Sequence, residues 1–176
     1  FRSTTTSNGN IDVKAGGLIT QNNDITAGSG TVYLTSSGAG ITQGAAKITA
    51  QTLSLNAAGA INVNNANNDV TNVAARTTSG GITYQDATAV TVSSVAASAS
   101  GNSPLTTGLD TTTSNGNIDV KAGGLITQNN DITAGTGTVY LTSSGAGITQ
   151  GAAKITAQTL SLNAAGAINV NNANND

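Results

Sequence analysis

The residues that could carry out chemistry in this sequence are few. The chain contains no His and no Cys, and all of its acidic side chains are Asp. These absences exclude a Ser-His-Asp triad, a Cys nucleophile and the Cys and His ligands of a zinc site. Much of the sequence is present in two copies, and Arg76, Tyr84 and Asp86 lie in the stretch that is present in one. These three residues could approach one another across neighbouring strands. They form a candidate ligand-contact set, and the alternative is that they are solvated surface.

The remaining carboxylates point to architecture rather than to catalysis. Asp12 lies next to Lys14, and the same pair returns as Asp119 and Lys121, whereas a glycosidase needs a dedicated pair of carboxylates. We therefore expect no catalytic residue, no cofactor-binding residue, no metal ligand and no cofactor. The Asn-rich corners leave one question open, because they could bind Ca²⁺ or stack as amide ladders.

The composition limits the fold and the partners. Thr, Asn and Gly make up about two fifths of the chain, and these residues are poor helix formers. Charged residues are 8% of the sequence and the net charge is −2, so a basic nucleic-acid footprint is missing. Aromatic residues are 2%, which predicts a thin aliphatic core. No apolar run approaches the length of a membrane span.

A long repeat organises the chain. Residues 4–69 and 111–176 are identical except that Ser29 is replaced by Thr136, and residues 70–110 occur once. We interpret residues 1–176 as one continuous domain built from a 107-residue unit (residues 4–110, with a partial second copy at 111–176). The unit suggests a longer tandem array in the parent protein.

A shorter period of about 21 residues runs through the long one. It is marked by motifs in which an aliphatic residue precedes a threonine, and five such steps fill one long unit. The threonines predict an outer ladder of Thr5, Thr26, Thr49, Thr71, Thr91, Thr112, Thr133 and Thr156. The aliphatic residues predict a core ladder of Ile25, Ile48, Val70, Val90, Ile132 and Ile155.

Each 21-residue step offers three short alternating segments separated by Gly, Ala, Ser and Asn, which favour turns. This pattern predicts an all-β fold, a right-handed parallel β-helix (β-solenoid) with three short strands per coil and about eight coils. An immunoglobulin-like sandwich is the alternative. Residues 93–108 predict a weak coil, because they contain few large apolar groups and the single proline, Pro104.

Three stretches carry a resemblance to a known family. Residues 17–28 (GLITQNNDITAG), 30–70 and 80–95 resemble the repeats of filamentous-haemagglutinin-like exoproteins, which are large bacterial adhesins of the two-partner secretion type. The resemblance implies a right-handed β-helix, an outer-membrane secretion pore as a partner, and a secreted or cell-surface location in a Gram-negative bacterium. It carries over no catalytic residue.

These observations predict a structural, non-catalytic role as a shaft segment of a bacterial adhesin that functions in adhesion or biofilm formation. The alternative is a module that uses residues 70–110 to bind a glycan or a host surface. Ice binding and a polysaccharide-active enzyme are weaker alternatives. The expected partners are neighbouring repeats of the same protein and a surface glycan or protein, with no nucleic acid and no membrane span. Exposed terminal coils could also stack end to end.

Overall fold

The computed structural model describes residues 8–176, and in that part of the chain every regular element is a β-strand. Most of these strands pair in parallel in one large sheet that winds into a right-handed solenoid of about eight turns, roughly 21 residues apart. The predicted fold class is therefore confirmed. The strands are β1 (Ile11–Ala15), β2 (Ile19–Gln21), β3 (Ile25–Ser36), β4 (Ile41–Gln43), β5 (Ile48–Ala57), β6 (Ile61–Val63), β7 (Asp69–Thr77), β8 (Ile82–Asp86), β9 (Val90–Val92), β10 (Ser94–Val95), β11 (Thr106–Thr107), β12 (Leu109–Asp110), β13 (Ile118–Ala122), β14 (Ile126–Gln128), β15 (Ile132–Ser143), β16 (Ile148–Gln150), β17 (Ile155–Ala164) and β18 (Ile168–Asn169).

The solenoid has three faces, and each coil contributes one strand segment to each. Face one stacks β1 on the later halves of β3, β5 and β7, then on β12 and the starts of β15 and β17. Face two stacks β2, β4, β6, β8 and β13 on the later halves of β15 and β17. Face three stacks the starts of β3, β5 and β7 on β9, β14, β16 and β18.

The core is a column of aliphatic side chains inside the coils. Alternation along each strand sends every second side chain inward, and the inward residues form one continuous buried cluster from Ile19 to Ile155. Leu53, Ile118 and Ile126 are fully buried members of that column. Ile and Val suit this stacking because β-branched side chains pack well on pleated strands. The core is thin and largely aliphatic, as the composition predicted, and Tyr84 is a buried aromatic member of the same cluster.

The two copies of the long repeat lie on different faces of the solenoid. Ile25 is on face three, opposite Ile48, whereas its copy Ile132 is on face one, opposite Leu109. From Ile25, face three runs through β3, β5, β7, β9 and β14, which is an advance of four complete coils. The chain then passes to the next face, face one, where Ile132 begins β15. The prediction that five coils fill the 107-residue unit is therefore wrong. The second copy is rotated by a third of a turn about the solenoid axis.

The predicted ladders form only in part. Thr26 lies opposite Thr49, and Ile132 and Thr133 lie opposite Ile155 and Thr156. Val70, however, lies opposite Ala50 rather than Ile48, because β7 is shifted by two residues relative to β5.

Further along the chain, the predicted single columns are replaced by other pairings. Val90 and Thr91 lie opposite Ile126 and Thr127. Asp110 occupies the position opposite Thr133 that the sequence assigned to Thr112. Thr71 does not lie opposite Thr91, whose neighbour on β7 is Asn72. Thr5 lies outside the described residues.

Residues 93–108 do not form a coil. They leave the stack after β9 and form an antiparallel hairpin from β10 and β11, in which Ser94 pairs with Thr107 and Val95 with Thr106. The hairpin packs on the outer side of face one, where Val95 joins Tyr33 and Ala74 in a small buried cluster outside the main core. The physical reason is the lack of large side chains at the positions that would have to fill the interior.

Candidate ligand-contact site

The structure does not bring Arg76, Tyr84 and Asp86 together. On β8, Ile82, Tyr84 and Asp86 alternate with Thr83 and Gln85, and the first three are buried. Tyr84 is 1% exposed and Asp86 is 2% exposed. The prediction that this pair contacts a ligand at the surface is therefore wrong, because strand alternation turns both side chains into the solenoid.

Inside the solenoid, Asp86 is held by a complete set of hydrogen bonds. Its Oδ2 atom accepts from the Tyr84 hydroxyl at 2.6 Å and from the Val70 amide at 3.0 Å. Its Oδ1 atom accepts from the amide and the hydroxyl of Thr88 at 2.8 Å and 3.0 Å. The carboxyl group thereby fixes the corner after β8 to the strand β7.

Burial dominates the ionisation of both groups. Desolvation raises the pKa of Asp86, although its hydrogen bonds with Tyr84, Thr88 and Val70 act in the opposite direction. Desolvation, followed by the nearby Asp86 carboxylate, raises the pKa of the Tyr84 hydroxyl well above its usual value. A carboxylate with every oxygen engaged by the protein's own donors is a structural group rather than a free general base.

Arg76 lies on the outer side of face one. It is opposite Asn56 on β5 and Asp110 on β12, and Asn56 in turn is opposite Thr35 on β3. The Arg76 Nε atom lies 3.5 Å from Asp110 Oδ2, and the side chain of Arg76 is 56% exposed. Such an exposed ion pair contributes little to stability, and more than half of the Arg76 side chain is accessible to solvent or to a ligand.

The hairpin converts this row of side chains into a cleft of about 270 Å³. The floor is formed by outward side chains and corner residues of face one, and Pro104 of the hairpin forms a wall. The lining residues are Thr35, Ser36, Ser37, Asn56, Ala57, Ala58, Arg76, Thr78 and Pro104.

Hydrogen bonds attach the hairpin to the outer side of face one beside the cleft. The Asn56 amide nitrogen donates to Thr106 Oγ1 at 2.6 Å and to Ser103 Oγ at 3.3 Å. Ser54 Oγ lies 3.0 Å from the same Thr106 hydroxyl. Thr35 is buried like these residues, at 8% exposure, but its hydroxyl has no hydrogen-bond partner among the described residues. The cleft therefore combines a cation with polar groups, one of them unpaired, and it has no acid–base pair.

The sequence carried a partial signal for this site. Thr35 and Asn56 are 21 residues apart on equivalent strands, so the short period alone places them side by side. The hairpin that completes the cleft does not follow from the sequence, which predicts a weak coil for residues 93–108.

The Asn-rich corners carry networks of amide hydrogen bonds. Asn68 is fully buried, and its Oδ1 atom accepts from the Ile48 amide at 2.8 Å and from Gln43 Nε2 at 2.7 Å. Asn65 donates to the carbonyl groups of Ala45 and Ala46. No group of three or more carboxylates lies close enough to hold a metal ion in residues 8–176. The same stretch contains no helix that is long and apolar enough to cross a membrane.

One comparison with known proteins gives a match. Residues 22–77, a little under a third of the chain, are similar to a family described as repeats of unknown function (DUF5649). The matched segment runs from just before β3 to the end of β7 and so contains most of the floor of the cleft, with Thr78 just outside it. No curated protein and no solved structure matches the chain.

Proposed function

We propose that this chain is a shaft segment of a secreted or surface-exposed bacterial adhesin, with a structural role in adhesion or biofilm formation and no catalysis. The observation that carries the proposal is the uninterrupted parallel stack: one aliphatic core runs from Ile19 to Ile155 with no break at the repeat boundary. A fold of this kind grows in length as copies are added, since each coil contacts only its neighbours.

The stack explains how a long rod could be built from this sequence. A coil advances the axis by about 4.8 Å, so a unit of four and a third coils adds about 21 Å. The similarity of residues 22–77 to a family of repeats supports a repetitive architecture. The resemblance to filamentous-haemagglutinin-like exoproteins supports export through an outer-membrane pore of a Gram-negative bacterium.

Concatenated units test the rod directly. Proteins carrying increasing numbers of copies of residues 4–110 should show a maximum dimension, measured by small-angle X-ray scattering, that grows by about 21 Å for each unit. Immunogold labelling of cells that express the parent protein should then show the segment on surface filaments. A maximum dimension that grows only as the cube root of the mass, as for a globule, would refute the shaft.

The cleft on face one favours a second candidate function, the binding of a glycan or a host surface. It belongs in part to the single-copy region, because Arg76, Thr78 and Pro104 lie within residues 70–110. Tyr84 and Asp86 play no part in it. This function is compatible with the first, since a shaft can carry a binding site on its side.

A further inference from the structure

We propose that the cleft beneath the hairpin binds the carboxylated sugar ring of a uronic acid. This inference rests on the second candidate function and is independent of the shaft. Its starting point is the juxtaposition of an exposed guanidinium group, that of Arg76, with the unpaired hydroxyl group of Thr35 and the amide of Asn56.

The cation defines the charge of the ligand. Arg76 uses its Nε atom in the contact with Asp110, which leaves the terminal nitrogens of the guanidinium group to donate to another acceptor. A planar guanidinium group matches a carboxylate in shape and charge. The cleft therefore favours a ligand with a carboxylate over a neutral one.

The floor defines the rest of the ligand. The Thr35 hydroxyl can donate and accept, and it is buried without a partner among the described residues, which is a costly state for a polar group. The Asn56 amide nitrogen is already committed to the hairpin, so its carbonyl oxygen is the group that can accept from a ligand hydroxyl. A sugar ring supplies several hydroxyl groups on one rigid frame.

The size and the walls complete the argument. A volume of about 270 Å³ lies just below the range of sites that hold drug-sized ligands, so the cleft accommodates one sugar ring rather than several. Pro104, Ala57 and Ala58 give it apolar patches against which the C–H groups of a ring can pack. A hexuronate has the required combination of one carboxylate, several hydroxyl groups and an apolar ring face.

The second copy provides a matched comparison within the same chain. Thr142 and Ser144, the copies of Thr35 and Ser37, lie on face two beside Lys121 and Asp86, with no hairpin above them. Lys121 pairs with Asp119 at 3.3 Å, much as Arg76 pairs with Asp110. Substitutions at Thr142 and Lys121 therefore reproduce the chemical change without touching the cleft.

The experiment is a titration of the ¹⁵N-labelled chain with D-glucuronate, D-glucose and inorganic sulfate, followed by NMR. We expect glucuronate to shift the Arg76 Nε–H and Thr35 amide signals with a Kd in roughly the millimolar range, and glucose and sulfate to bind at least about tenfold more weakly. R76Q should weaken glucuronate binding by at least about tenfold and T35V by several-fold. K121Q and T142V should leave it unchanged.

Four results would overturn the proposal. They are the absence of shifts at saturating glucuronate, equal binding of glucose, equal binding of sulfate, and an R76Q variant that binds as well as the original chain while its melting curve is unchanged. None of these results affects the scattering test of the shaft, so the two proposals fail separately.

Discussion

Replacing Leu53 by Ala should destabilise the chain far more than the same change at its copy, Leu160. Leu53 is fully buried between Val32 and Val73 on the neighbouring coils. Leu160 has a neighbour on one side, Val139, and is 38% exposed. Core Leu→Ala changes cost about 2–5 kcal/mol because they remove apolar contacts and leave a cavity, so we expect that range at Leu53. At Leu160, where the site can collapse, we expect about 1 kcal/mol.

The two substitutions are matched in chemistry and in flanking sequence, so the difference isolates the effect of stacking. Urea unfolding gives the free energy of unfolding, and hydrogen exchange shows whether the loss is global or confined to β17. Equal losses at low protein concentration would refute the assignment of Leu160 to an uncovered coil. A Leu160 effect that grows with concentration would instead indicate end-to-end stacking of chains.

Three further predictions test the register, a buried network and the hairpin junction. The double variant T91C/T127C should form a disulfide and T91C/T112C should not, in a chain that has no other cysteine, because Thr91 lies opposite Thr127. The folded chain retains the Tyr84 proton to higher pH than the unfolded chain, because the pKa of Tyr84 is raised by burial. The free energy of unfolding should therefore fall as the pH rises above about 10, by up to about 1.4 kcal/mol per pH unit. In alkaline melts, Y84F should lose this dependence and the control Y140F should keep it. G108A should cost about 1–3 kcal/mol more than G101A in thermal melts, because both glycines have positive φ but only a Cβ at Gly108 would clash with the Asp131 carbonyl.

Much of the fold could be predicted from the sequence because the solenoid is a local pattern repeated. The alternation within Val32–Leu34 and Leu53–Leu55 fixes the inward face, and the 21-residue period fixes which strands stack. The rotation of the second copy could not be predicted in this way. The hairpin of residues 93–108 takes about as many residues as two of the three faces of a coil, so the threonine spacing continues from Thr91 to Thr112 although the chain has advanced by only one face.

The site was only partly predictable for a different reason. Alternation along β8 places Asp86 on the same side as Ile82, but carboxylates are rarely buried, so the sequence predicts an exposed Asp86, either as a ligand contact or as solvated surface. Its burial depends on two backbone donors. Val70 lies on another strand, β7, and Thr88 follows Asp86 at the corner after β8. The sequence does indicate Arg76 as a candidate. The residues that line the cleft with it, however, come from the hairpin (Pro104) and from strands one and two coils away (Asn56 and Thr35).

The rotation between copies means that identical stretches of sequence are not equivalent on the surface. Tyr33 lies beneath the hairpin and is 6% exposed, whereas its copy Tyr140 faces another direction and is 41% exposed. A flat partner, such as a cell wall or a crystal plane, lies along one side of the solenoid, so a surface that contacts Tyr140 would not reach the side that carries Tyr33, which is a third of a turn away. Duplication of the sequence has therefore diversified the contacts available around the circumference, where an unrotated repeat would have multiplied a single one.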